Sequence, residues 1–139
     1  MKWLIIGNGF LGNTIFETID KNKNEVKISD YKNNGIDVTD DSSIEEFFQK
    51  FIPDITINCA AVSKVDIIEN NSKGALEVNG YGSQKIALAC KKYNSRLIHI
   101  STDSVFDGKK GMYIETDHVN PINEYAKTCL LYTSDAADE

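Results

Sequence analysis

The stretch MKWLIIGNGFLGNTIF (residues 1–16) leaves the fold little freedom. Four apolar residues, Trp3-Leu4-Ile5-Ile6, run directly into Gly7-Asn8-Gly9-Phe10-Leu11-Gly12. An unbroken apolar run closed by glycine reads as a strand buried on both faces. From Leu11 to about Lys21 the apolar residues fall at 11, 15, 16 and 19, a helical spacing. Gly7, Gly9 and Gly12 therefore form a G-x-G-x-x-G pattern at a strand-to-helix turn, the context in which that pattern is informative. Gly7 allows a tight turn, Gly9 lets the backbone approach a pyrophosphate, and Gly12 lets helix and strand pack closely. The helix N-terminus beyond them offers free N–H groups and a positive dipole end to phosphate.

The rest of the chain repeats the strand-turn-helix pattern. Residues 25–28 read as a second strand, ending at Asp30, and residues 36–38 as a short third one. Residues 42–51 are expected to be a helix, with Ser42 and Glu45 as a capping box and Pro53 after its end. A fourth strand is expected over 55–59. A long helix follows over 73–93, with Val78, Ile86, Ala89 and Cys90 among its apolar positions, and a fifth strand over 96–100. A loop with Gly108 and Gly111 leads to Pro121, and a last helix should begin near Asn123. Alternating strands and helices imply right-handed crossovers and an α/β fold, a Rossmann-like doubly wound parallel sheet of strand order 3-2-1-4-5. No sixth strand is seen, so the expectation is a domain over 1–128 truncated before its last strand and a substrate lobe. Asp30, at the end of the second strand, is placed to bond the ribose hydroxyls of an adenosine, which favours NAD over NADP. Lys32 beside it argues the other way, so the cofactor is read as NAD or NADP.

Composition removes several classes. A formal charge of −6 argues against a nucleic-acid partner. No run approaches the roughly eighteen apolar residues that span a bilayer, and the N-terminal run is too short for a signal peptide. The chain is expected to be cytoplasmic, with no membrane partner. Its three cysteines, Cys59, Cys90 and Cys129, match no zinc spacing, and no metal site is expected.

Five further stretches occur in order: GIDVTD (35–40), NCAAVSKVD (58–66), VNGYGSQKIALAC (78–90), ISTDSVFDG (100–108) and PINEYAKT (121–128). With the glycine turn, they make residues 1–128 resemble the extended short-chain dehydrogenase/reductases, and among these the dTDP-4-dehydrorhamnose reductase family. The resemblance implies an NAD(P)-dependent reduction of the 4-keto group of a nucleotide sugar. Gly7, Gly9, Phe10, Leu11 and Gly12 match the pyrophosphate loop of that family. Asp37 and Val38 match residues beside the adenine, and Ala60 and Ala61 match the strand end along the middle of the cofactor. Asn79 matches a helix residue near the active site. Thr102 matches the catalytic hydroxyl and Tyr125 the catalytic tyrosine. The parent's partners would be its nucleotide-sugar substrate and a second copy in a homodimer.

Reducing a ketone needs a hydride and a proton. Tyr125 would supply the proton, with Thr102 helping to hold the carbonyl. A free phenol ionises near pH 10, so it needs a nearby cation to work at neutrality. The family has a Lys four residues after the Tyr, on the same helix face. Here that position is Cys129, and Lys127 lies about 200° around the helix from Tyr125. Two other departures are a glycine loop one residue short of the family's and Ser104 where a Tyr is common. A nucleotide-sugar epimerase or dehydratase is therefore an alternative. So is a non-catalytic regulatory subunit resembling that of methionine adenosyltransferase. His99 and His118 are read as a strand residue and a loop residue.

Residues 129–139, CLLYTSDAADE, contain no Lys, Asn, Ile or Gly, although residues 1–128 are rich in Lys, Asn and Ile. They back-translate to a sequence resembling the end of a transposon-based sequencing adapter. The expectation is that they form a non-native tail read through in frame, and that the natural chain has a lysine where Cys129 stands.

Overall fold

A strand that is apolar on both faces belongs in the middle of a sheet, and β1 (Lys2–Ile6) lies there. The computed structural model describes residues 1–32, 35–64, 68 and 71–135. In it β1 pairs in parallel with β2 (Glu25–Ser29) on one side and β3 (Ile55–Asn58) on the other. β3 in turn pairs with β4 (Arg96–His99), giving the order β2-β1-β3-β4. Parallel neighbours need long crossovers. These carry α1 (Phe10–Thr18), α2 (Asp41–Phe51), and a rod made of α3 (Ser72–Leu76), a π-helical stretch (Glu77–Gly82) and α4 (Ser83–Tyr93). A 3-10 turn (Asp103–Val105) and α5 (Glu124–Asp135) follow β4. Residues 65 and 66 of the NCAAVSKVD stretch, and residues 136–139 of the expected tail, lie outside the described residues.

Alternation along β1 sends its side chains to two different cores. Leu4 and Ile6 meet Ile44 and Phe48 of α2 and Ile86 of α4, whereas Ile5 meets Ile57 and, beyond it, Ile15 and Phe16 of α1. Leu4, Ile5 and Ile6 are all 0% exposed, so both faces are covered, as a doubly wound sheet requires. Deleting a fully buried ring such as Phe48 costs about 3–5 kcal/mol.

Three local readings need correction. Residues 36–38 do not form a strand, and the remaining four strands keep the expected relative order. Three backbone donors in and beside that segment are taken by side chains instead of a ladder. Ile36 N donates to Ser29 Oγ (2.9 Å), Asp37 N to Ser43 Oγ (3.0 Å) and Thr39 N to Asp37 Oδ1 (2.9 Å). Ile36 and Val38 still reach the core, so the apolar signal was real and the hydrogen bonding was not β. Asp40, not Ser42, caps α2, accepting from Ser42 N (2.9 Å). Glu45 turns outward to Lys92 and Tyr93 (2.5 Å each), away from the cap. The single helix expected over 73–93 contains the π-helical stretch, a feature that apolar periodicity does not report.

The inner face of β3 is polar. Thr56 Oγ1 lies 2.8 Å from Ser95 Oγ, and Asn58 Nδ2 donates to Ser83 Oγ (3.2 Å). Asn58 Oδ1 accepts from Ala60 N (3.1 Å). Thr56 and Asn58 are buried, and no buried side-chain polar atom among the described residues lacks a partner.

Candidate functional site

The parallel strands all end on one edge, where their loops enclose a cleft of about 510 Å³. Gly7, after β1, adopts φ +101, a left-handed backbone that favours glycine, and its N–H donates to Ser29 O (2.7 Å). A Cβ on Gly12 would stand 1.9 Å from Gly7 O, so only glycine lets α1 dock on this loop. A Cβ on Gly9 would meet nothing within 4 Å. Gly9 is thus free of any demand from its own chain. No side chain caps α1, and its first N–H groups face the loop side.

Seven of the residues singled out from the sequence line this cleft: Gly7, Gly9, Asp30, Asp37, Val38, Ala60 and Ala61. Phe10 (91% exposed), Leu11 (43% exposed) and buried Gly12 begin α1 outside the lining. Asp30 accepts from Lys32 N (3.0 Å), and Lys32 Nζ lies 5.7 Å from the Tyr31 ring centre. Both Tyr31 and Lys32 line the cleft beside Asp30. Asp37 Oδ1 accepts from Thr39 N and from Thr39 Oγ1 (2.7 Å), so this carboxylate holds its own turn.

Thr102 and Tyr125 also come together. Thr102 caps the 3-10 turn by accepting from Ser104 N (3.2 Å). Asn123 starts α5 by accepting from Ala126 N (2.8 Å), which places Tyr125 in the first turn. The Tyr125 side chain stands beside Thr102 and Cys129, close enough for both to bear on its ionisation. Burial raises the Tyr125 pKa above the ordinary phenol value, Cys129 raises it further, and Thr102 pulls it partly back. Cys129 is itself buried, and burial pushes its thiol up. Position 129 therefore holds a thiol in contact with Tyr125, and the phenol is tuned away from neutrality. Exposed Lys127 donates to Glu124 Oε1 (2.6 Å).

Asn79 is 3% exposed, lies in the π-helical stretch and is not among the residues that line the cleft, although its neighbour Val78 is. Its Oδ1 accepts from Val62 N (2.8 Å), and its Nδ2 donates to Val62 O (3.0 Å) and to Thr128 Oγ1 (3.0 Å). Val62 and Thr128 escaped the sequence reading. Thr128 carried a usable signal, since it lies three residues after Tyr125 and adjoins the same helix face. Val62 carried none, because it takes part through its backbone. His99 sits on β4 with Nδ1 3.3 Å from Asn58 Nδ2, and burial lowers its pKa.

The sheet order and the cleft at its carboxyl edge define a Rossmann-like α/β domain. The chain belongs to the family described as RmlD substrate binding domain, whose model matches residues 1–133. It is 37% identical over 130 residues to a dTDP-4-dehydrorhamnose reductase of Aggregatibacter actinomycetemcomitans, covering 91% of this chain and 44% of that protein. The crystal structure of the dTDP-4-dehydrorhamnose reductase of Bacillus anthracis in complex with NADP superposes with a TM-score of 0.92 at 30% identity. That match covers 99% of this chain and 49% of the other. The beta subunit of bovine methionine adenosyltransferase 2 is 34% identical over 95 residues, covering 68% of this chain and 28% of that protein. The chain thus spans about half the length of the reductases it matches. Among the described residues no helix is long and apolar enough to cross a membrane.

Proposed function

We propose that this chain is the dinucleotide-binding part of an NAD(P)-dependent reductase acting on the 4-keto group of a nucleotide sugar, of the dTDP-4-dehydrorhamnose reductase type. The observation that carries the reading is the glycine turn: α1 is locked onto the loop at Gly12, while Gly9 presents bare backbone to an open cleft. Those two features suit a pyrophosphate lying across Gly7–Gly9 at the helix N-terminus. Asp30 would meet the adenosine ribose, with Lys32 close enough to receive a 2′-phosphate, so either NADH or NADPH fits. Asp37 and Val38 would flank the adenine, and Ala60 and Ala61 the middle of the dinucleotide.

The dinucleotide would supply the hydride. Tyr125 would give the ketone oxygen its proton, and Thr102 would steady the carbonyl through its hydroxyl. Burial and the neighbouring Cys129 raise the Tyr125 pKa, so Tyr125 is a weaker acid here than it would be with a cation at position 129. The chain as it stands is expected to bind dinucleotide and to turn over no dTDP-4-dehydrorhamnose. Fluorescence titration with NADH and NADPH, followed by an assay of dinucleotide oxidation with that sugar, tests both halves. Absence of binding to either dinucleotide sinks the reading, and measurable turnover sinks the role given to position 129.

We further propose that residues 1–128 are the native domain and 129–139 a non-native tail. The support is the change of composition at 129, and the DNA across codons 125–139 decides it. The parent is proposed to act in the cytoplasm as a homodimer. One observation favours a second reading, a non-catalytic dinucleotide-binding subunit: a thiol at 129 is what a family member without catalysis would tolerate. A natural full-length gene with a cysteine codon at this position would support it, and one with a lysine codon there would remove it.

A further inference from the structure

We infer that Asn13 is a positioning residue of the glycine turn: its side-chain amide holds the Asn8 and Gly9 carbonyls on the helix side, and so aims the Gly9 and Phe10 N–H groups at the phosphates of the ligand. The inference rests on the dinucleotide reading above and deepens it. Asn13 Nδ2 has two hydrogens to donate. One goes to Asn8 O and the other to Gly9 O (3.0 Å). Gly9 O also accepts from Asn13 N (3.0 Å), so both of its lone pairs are taken. Both acceptors are carbonyls, so only the NH2 end of the amide can meet them.

In a trans peptide the carbonyl and the N–H that follows it point to opposite sides. Fixing Asn8 O toward α1 therefore turns the Gly9 N–H away from α1, and fixing Gly9 O does the same for Phe10 N–H. Neither N–H has an acceptor among the described residues, and Asn8 and Gly9 both line the cleft. The Gly9 carbonyl is held by the start of the helix as well. The Asn8 carbonyl lies outside the helix, and among the described residues Asn13 alone holds it. That peptide needs a clamp. Gly9 has no Cβ and its surroundings are open, so the peptide before it can turn over at small steric cost and show a carbonyl oxygen to a phosphate. The residue type points the same way. Asn is a poorer helix former than Ala, and Asn13 is exposed, so neither helix formation nor core packing calls for it. Gly12, which locks α1 onto the loop, precedes Asn13 directly, so docking of the helix brings the amide to both carbonyls.

Titration of the isotope-labelled 139-residue chain with NADPH, read by backbone amide resonances and by cofactor fluorescence, tests this. In the parent chain the Gly9 and Phe10 amides should move downfield on binding, as N–H groups bonded to phosphate do. Asn13→Ala should weaken NADPH about tenfold, the loss of roughly one hydrogen bond to a charged group. At saturation its Gly9 shift should be reduced while the Asp37 and Val38 shifts are kept. Asn13→Asp keeps the shape, removes both donors and adds a charge that favours folding near a helix N-terminus. Its thermal midpoint should match or exceed the parent's while NADPH affinity falls at least as far. Thr14→Ala removes a neighbouring bond that lies within the helix, Thr14 Oγ1 to Phe10 O (2.8 Å), and should leave affinity unchanged. A purely structural Asn13 would instead lower the midpoint in Asn13→Ala and diminish the shifts at both ends of the cleft alike. That pattern overturns the inference, and so does NADPH binding by Asn13→Ala and Asn13→Asp as tight as the parent's. A parent chain that binds NADPH with the Gly9 amide unmoved overturns it too and leaves the dinucleotide reading standing. A parent chain that binds neither NADPH nor NADH removes both.

Discussion

The glycine turn and the Tyr125 corner are made of different materials. The turn is backbone: Gly7 at φ +101, and Gly12 pressed so closely on Gly7 O that a Cβ would sit 1.9 Å away. The corner is side chains: Thr102, Tyr125 and Cys129, brought together by the 3-10 turn and the helix that carry them. A site made of backbone is finished once the strands and helices dock. A site made of side chains can have the right shape and the wrong charge, because one residue can change without moving the helix that carries it. Position 129 shows this. Burial raises the phenol pKa there and Cys129 adds to it, where a cation at the same helical spacing would lower it.

The contrast is broken most severely at Gly12. Gly12→Val should cost about 3 kcal/mol or more in urea unfolding, since the added atoms meet backbone that cannot give way. A variant as stable as its parent would show that α1 can lift from the loop. Gly9→Ala sharpens the same end from the other direction. Its Cβ meets no protein atom, so the midpoint of thermal unfolding should hold, while dinucleotide affinity falls about tenfold, or ~1.4 kcal/mol. Unchanged affinity would mean that no ligand backbone lies against Gly9.

At the side-chain end, Cys129→Lys should leave the fold in place and bring the ionisation of Tyr125 below its value in the parent chain. Phenolate absorbance, measured against Tyr125→Phe versions of both chains, reads it. A phenol that ionises at the same pH in Cys129→Lys as in the parent chain would show that α5 does not aim position 129 at Tyr125. The smallest effect is expected at Glu45, which lies apart from both ends. Hydrogen bonds from Lys92, Tyr93 and Gln49 hold its carboxyl at about 2, against an ordinary 4.5. A depressed acid stabilises the fold above its unfolded value and loses that contribution as pH falls through the folded one. The thermal midpoint of the parent should therefore drop more steeply between about pH 5 and 2 than that of Glu45→Gln, and the gap should close near pH 2. The size is modest, because the group is at the surface. Parallel curves would show that the cluster contributes nothing.

The sequence made the fold legible wherever burial sets the residue pattern. Trp3–Ile6, Ile55–Ile57 and the spacing of Ile86, Ala89 and Cys90 gave strand, strand and helix because each reports a face turned inward. It misled where side chains replace backbone as hydrogen-bond partners. Ile36 and Val38 alternate like a strand, yet Ser29, Ser43 and Asp37 take the bonds a ladder would need. The glycine turn was legible for a third reason, since no other residue fits the positions of Gly7 and Gly12. Asn79 was visible as a residue near the site through family resemblance. Its actual grip on Val62 and Thr128 joins positions 17 and 49 apart, and no local pattern encodes such a pairing.

The polar inner face of β3 has its own consequence. Strands of four residues with isoleucine at alternate positions can slide by two and still bury the same kind of side chain. Such a slide would leave Asn58 and Thr56 buried without Ser83 and Ser95, at a cost of about 1–3 kcal/mol for each abandoned group. The two polar residues therefore act as index marks. Hydrophobic burial brings β3 into the sheet, and Thr56 and Asn58 make a misaligned copy of the same sheet measurably worse. Because β3 sets where Ala60 to Val62 emerge, the alignment of those marks fixes the floor of the cleft.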